Sequence, residues 1–66
     1  MYIKLVDTLG FVYFVNTAHI VSLEYCITDD GRVDMNHIIV SLSNGEAITI
    51  DTAQAEQICN TATITQ

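Results

Sequence analysis

Apolar and polar residues alternate along this chain in short runs, each closed by small polar residues or glycine, and a period of two is the mark of β-strands with one covered face. The first run, Tyr2 to Val6, sets Ile3 and Leu5 on one side against Tyr2, Lys4 and Val6 on the other. Asp7-Thr8-Leu9-Gly10 carries the polar and glycine punctuation of a hairpin. The second run, Phe11 to Val15, is apolar on both sides, with Phe11, Tyr13 and Val15 alternating against Val12 and Phe14, the pattern of a strand covered on both faces.

Asn16 is placed to cap a single helical turn that redirects the chain into a third strand, Ile20 to Thr28. There Val21, Leu23, Tyr25 and Ile27 form an apolar face, and Ser22, Glu24, Cys26 and Thr28 face water. Asp29-Asp30-Gly31-Arg32 is a turn by composition. Val33 to Asn36 either prolongs that hairpin or leaves it as a loop.

His37 to Leu42 and Glu46 to Ile50 complete the strands, joined around Ser43-Asn44-Gly45. A two-residue Asn-Gly turn pairs Leu42 with Ala47 and divides the isoleucines between the faces. A three-residue loop with Gly45 in the left-handed conformation pairs Leu42 with Glu46 instead, and gathers Ile38, Val40, Leu42, Ile48 and Ile50 on one face with Thr49 behind. The second register is expected, because each large aliphatic side chain contributes about 1.5–3 kcal/mol when buried.

Asp51 to Gln54 resembles a capping box, in which Asp51 accepts from first-turn amides and Gln54 reaches back, so a helix is expected from Thr52 to Asn60 or Thr61. Ala55, Ile58, Cys59 and Ala62 form its thin apolar stripe, and the tail from Ala62 to Gln66 either frays or pairs at an edge. The expected fold class is mainly β: a small curved antiparallel meander of about five strands with one short C-terminal helix, in a single domain over 1–66.

The charge balance narrows the function. Two basic residues stand against eight acidic ones, giving a formal net charge of −6 and a pI near 4.2. Nucleic acid and anionic membranes are poor partners for such a chain, because both are held by clustered Lys and Arg. The start of the chain lacks the pattern of a secretory signal, and no apolar run approaches the roughly 20 residues that span a bilayer. A cytoplasmic location is expected. Cys26 and Cys59 fit that compartment as reduced, buried small hydrophobes.

The candidate chemistry is sparse. His19, His37, Cys26 and Cys59 lack the paired spacing of a zinc site, and Asp29-Asp30-Gly31 with Asp34 lacks the spacing of an EF-hand loop. No glycine-rich phosphate loop is present, so neither a metal nor another cofactor is expected, and the chain reads as a non-enzyme.

The remaining signal is an interaction surface. One helix cannot cover both sides of the aromatic second strand, which leaves Val12 and Phe14, with Tyr2 and Val6, needing apolar cover. A second copy of the chain is the simplest cover, and a larger cytoplasmic protein is the other. A rival reading makes the chain an acidic inhibitor of the kind that phages and other mobile elements carry, using Asp29, Asp30 and Asp34 on a basic surface of a host protein.

Ile3-Lys4-Leu5, Gly10, Phe14-Val15-Asn16, Ile20 to Glu24, and Leu42 with Asn44-Gly45 together resemble the small flagellar and swarming-motility accessory proteins of the FlbD type. The resemblance implies a leading strand, a hairpin and a closing helix, and a role without catalytic residues. The acidic stretch from Thr28 to Asn36 and the weakly charged helix depart from that pattern.

Overall fold

A computed structural model describes residues 1–61. It contains β1 (Tyr2–Val6), β2 (Val12–Asn16), a single 3-10 turn (Thr17–His19), β3 (Ile20–Ile27), β4 (Val33–Leu42), β5 (Ala47–Asp51) and α1 (Thr52–Thr61). The expected mainly-β class with one closing helix is the observed one, but the strands divide into two antiparallel sheets, β1-β2 and β3-β4-β5. The 3-10 turn lies at the division. Asn16 caps it, its side chain accepting from the Ala18 amide at 3.1 Å, and β2 and β3 on its two sides belong to different sheets.

The three hairpins share one turn geometry. In each, the amide of the residue three on donates to the opening residue's carbonyl: Gly10 to Asp7 at 3.0 Å, Gly31 to Thr28 at 2.9 Å and Gly45 to Leu42 at 3.0 Å. The opening residue's own amide then donates to the carbonyl four residues on, as Leu42 does to Glu46 at 2.9 Å. This is the three-residue loop with a bulge, and Gly45 holds φ +88°, a conformation that side chains with a Cβ resist.

The β4-β5 register follows from that turn. Ser41 opposes Ala47, Val40 opposes Ile48 and Ile38 opposes Ile50. Ile38, Val40, Ile48 and Ile50 are buried together and Leu42 packs at their margin, as the sequence requires. Thr49, expected to be exposed, is half-buried on the other face, where the β1-β2 turn lies against β5 and Thr8 donates its amide to the Thr49 carbonyl at 3.1 Å.

The core also takes Leu5 and Val15 from the β1-β2 ribbon and Ala55 and Ile58 from α1, so both sheets and the helix share one centre. Of the helix stripe, Cys59 stands exposed, and Ala62 and the tail lie outside the described residues. Cys26 is half-buried, so neither cysteine is the buried small hydrophobe expected. A narrow helix covering one end of the sheet hides only the two positions nearest its axis.

The second strand runs one residue later than expected, and of its apolar residues only Val15 is buried. The third strand departs more. Its ladder to β4 shifts between Ile20 and Ser22, and again between Tyr25 and Cys26, where Met35 to His37 lie between the paired Asp34 and Ile38. Val33 to Asn36 therefore prolongs the hairpin, with this excursion inside it. Ile20 and Leu23 pack on the core, while Val21, Tyr25 and Ile27 remain exposed. Val21 is the extra residue of the first shift, which strict alternation cannot foresee, whereas Tyr25 keeps register with Leu23 and is exposed further along the same hairpin.

Candidate interaction face

β1 and β2 pair as Tyr2 with Asn16, Ile3 with Val15, Lys4 with Phe14, Leu5 with Tyr13 and Val6 with Val12. Because side chains alternate across a strand, the buried Leu5 and Val15 fix the other rows outward. Tyr2, Lys4, Val6, Val12, Phe14 and Asn16 thus share the outer face of the ribbon. Phe14 is 71% exposed, Tyr2 70% and Val12 52%, so the sequence-predicted apolar residues lie together and uncovered. Packing into the core, the ordinary role of strand aromatics, is not what Tyr2 and Phe14 do.

Hydrogen bonds tie the ribbon at both ends. The Asp7 carboxylate accepts from the Leu9 and Phe11 amides at 2.9 Å each, and from the Tyr13 hydroxyl at 3.4 Å. Burial pushes the Tyr13 phenol above its ordinary value, and the neighbouring Asp7 charge adds to the rise. At the other end Thr17 donates its amide to the Met1 carbonyl at 2.8 Å.

The side chain of Gln54, on α1, does what sequence reasoning missed. The capping box is only half formed: Asp51 accepts from the Gln54 amide at 3.0 Å, but the Gln54 side chain turns to β1. Its Oε1 accepts from the Val6 amide at 2.8 Å and its Nε2 donates to the Val6 carbonyl at 2.7 Å. Val6 presents both groups to the outer edge of the ribbon, and the carboxamide meets them as a neighbouring strand would. No sequence spacing signals a bond between residues 48 positions apart.

The acidic candidates lie elsewhere. Asp29 and Asp30 sit in the exposed β3-β4 turn, where Asp30 accepts from the Thr28 hydroxyl and pairs with Arg32 at 3.4 Å. Asp34 lies on β4 beside the excursion and accepts from the Asn36 amide at 2.9 Å and from His37 Nδ1 at 2.8 Å. Both carboxyls are held below the ordinary carboxylate value, Asp30 chiefly by Thr28 and Asp34 chiefly by His37. Two of the three acids are therefore engaged within the hairpin itself.

The Asp34 shift has a stability consequence. A carboxylate whose folded pKa is depressed favours folding above its unfolded value, 3.8 here, and that contribution fades as pH falls through the lower folded value. Urea midpoints of wild type and Asp34→Asn should differ at neutral pH and converge under strong acid. An equal gap at all pH values would show that the His37 and Asn36 bonds do not favour the charged form.

The described residues contain no group of three or more His, Cys, Asp or Glu able to hold a metal ion, and no helix long and apolar enough to cross a membrane. A groove of about 400 Å³ runs between the ribbon and the β4-β5 turn, lined by Tyr2, Tyr13, Phe14, His19, Ser43 and Glu46. Within it His19 Nδ1 meets the Ser43 hydroxyl at 3.1 Å. No family model, curated protein or solved structure was found to match the chain.

Proposed function

We propose that this protein is a small, non-enzymatic interaction or regulatory module of the cytoplasm that docks through the outer face of the β1-β2 ribbon, on itself or on a larger protein. One observation carries this reading: Tyr2, Val12 and Phe14 stand exposed side by side on a ribbon that hydrogen bonds tie at both ends. Scattered apolar residues on a surface need no explanation, but a contiguous patch rimmed by polar groups is the usual sign of a contact. The resemblance to FlbD-type accessory proteins supports a role of this kind.

The acidic-inhibitor reading is weaker, because Asp30 and Asp34 already have internal partners that a basic surface would have to displace. Ionic strength separates the two. An apolar contact persists in high salt, whereas a carboxylate contact weakens as the Debye length shortens. Sedimentation at tens of micromolar should show association that survives high salt. A clean monomer in both low and high salt would remove self-association from the reading.

A further inference from the structure

We propose that the outer face of the ribbon is covered by a second copy of the chain, packed face to face about a two-fold axis that runs parallel to β1 and β2. This rests on the reading of that face as a docking surface, and adds the occupant and its orientation.

The distribution of charge selects the occupant. The eight acids are Asp7, Glu24, Asp29, Asp30, Asp34, Glu46, Asp51 and Glu56, and none lies within β1 or β2. Asp7, which follows β1, directs its carboxylate back onto its own turn and Tyr13, and Glu46 lines the groove beside Tyr2 and Phe14. On a molecule of net charge −6, the outer rows of the ribbon themselves carry no carboxylate, so two copies can approach there with Glu46 only at the margin of the contact. Its charged side chain is Lys4, which points outward beside Phe14, and at the other end of the ribbon the Met1 ammonium lies 3.5 Å from the Asn16 Oδ1.

Lys4 then selects the axis. A centred two-fold running across the strands reverses the strand direction and lays the Lys4·Phe14 row directly over itself, with Lys4 over the partner's Lys4. That opposes two ammonium groups in a contact from which water is leaving, and such a juxtaposition is strongly disfavoured. A centred two-fold along the strands exchanges β1 for the partner's β2. Each ladder pair then completes itself: Lys4 lies over the partner's Phe14, Val6 over the partner's Val12 and Tyr2 over the partner's Asn16. Lys4 on an aromatic face is a favourable cation–π contact, made twice by symmetry. Strands in two packed sheets also stay within about 30° of each other, which this arrangement satisfies.

The two orientations differ most at the ends of the ribbon. With the axis along the strands, Tyr2 lies next to the partner's Tyr2; with the axis across them, it lies over the partner's Val6 and Val12. Four residues of strand span about 13 Å, so a short bismaleimide resolves the cases. In a Cys26→Ser/Cys59→Ser background, Tyr2→Cys alone and Val12→Cys alone should each cross-link to a dimer. An isotope-labelled Tyr2→Cys protein mixed with Val12→Cys should give homodimers and no mixed product. Lys4→Glu in the otherwise native chain should weaken the dimer roughly tenfold through loss of both cation–π contacts.

Predominance of the mixed product overturns the axis while leaving self-association intact. Absence of any cross-link from a protein that sediments as a dimer overturns the face. A wild-type monomer overturns the self-association reading itself. Circular dichroism of each variant, matched to wild type, ensures that a missing cross-link is not a missing fold.

Discussion

Ile50→Ala should leave the protein largely unfolded at 37 °C and lower its urea midpoint more than any substitution on the surface. Ile50 is 0% exposed, opposes Ile38 across β4-β5 and sits where β5 passes directly into α1. Truncation removes the transfer free energy of the lost carbons and leaves a cavity that sheet and helix cannot close together, at a cost of about 2–5 kcal/mol. Domains of this size commonly hold only about 3–5 kcal/mol in total. Ile50→Val, which leaves most of the side chain, should cost about 0.5–1.5 kcal/mol and stay folded. A midpoint for Ile50→Ala close to that of Ile50→Val would mean that the core relaxes around the gap.

Gln54→Ala should be the most damaging substitution of a polar side chain. It orphans the Val6 amide and carbonyl together, and each half-buried polar group left without a partner costs about 1–3 kcal/mol. The effect should be uneven. Amide hydrogen exchange should accelerate throughout β1 and β2, whose other ties to the body include the Ile3, Leu5 and Val15 side chains and the Thr8 to Thr49 bond. Exchange in β4 and β5 should change far less. Gln54→Glu keeps the acceptor for the Val6 amide but sets a carboxylate against the Val6 carbonyl, so it should restore only part of the loss. Uniform acceleration across both sheets would show that ribbon and body open as one unit.

The parts of this fold legible in the sequence were those fixed by local chemistry. Gly45 two residues after Ser43, with large aliphatic residues at alternate positions on either side, determines a turn, a register and half the core at once. Asn16 and Asp51 announce their caps because a short polar side chain reaches only its own next turn. Geometry summed over distance was not legible. The strands divide into two sheets at one 3-10 turn, and the β3-β4 ladder shifts at Val21 and after Tyr25 without a residue that marks either place. The exposed apolar face was legible by excess, since β2 holds more large apolar residues than one helix can cover. Its orientation and its Gln54 anchor came only with coordinates.

The Gln54 clamp also imposes an order of events while the chain is being made. Translation delivers β1 and β2 well before α1, and a lone two-stranded hairpin in water is marginally stable at best. Until residue 54 emerges, the Val6 edge has no carboxamide to meet it and Leu5 and Val15 have no helix over them. The ribbon's earliest available shelter is therefore whatever apolar surface the cell supplies, a chaperone or another nascent copy of the same chain. Sister chains on one polysome reach this stage side by side, and the face proposed for docking in the finished protein is the one they expose first.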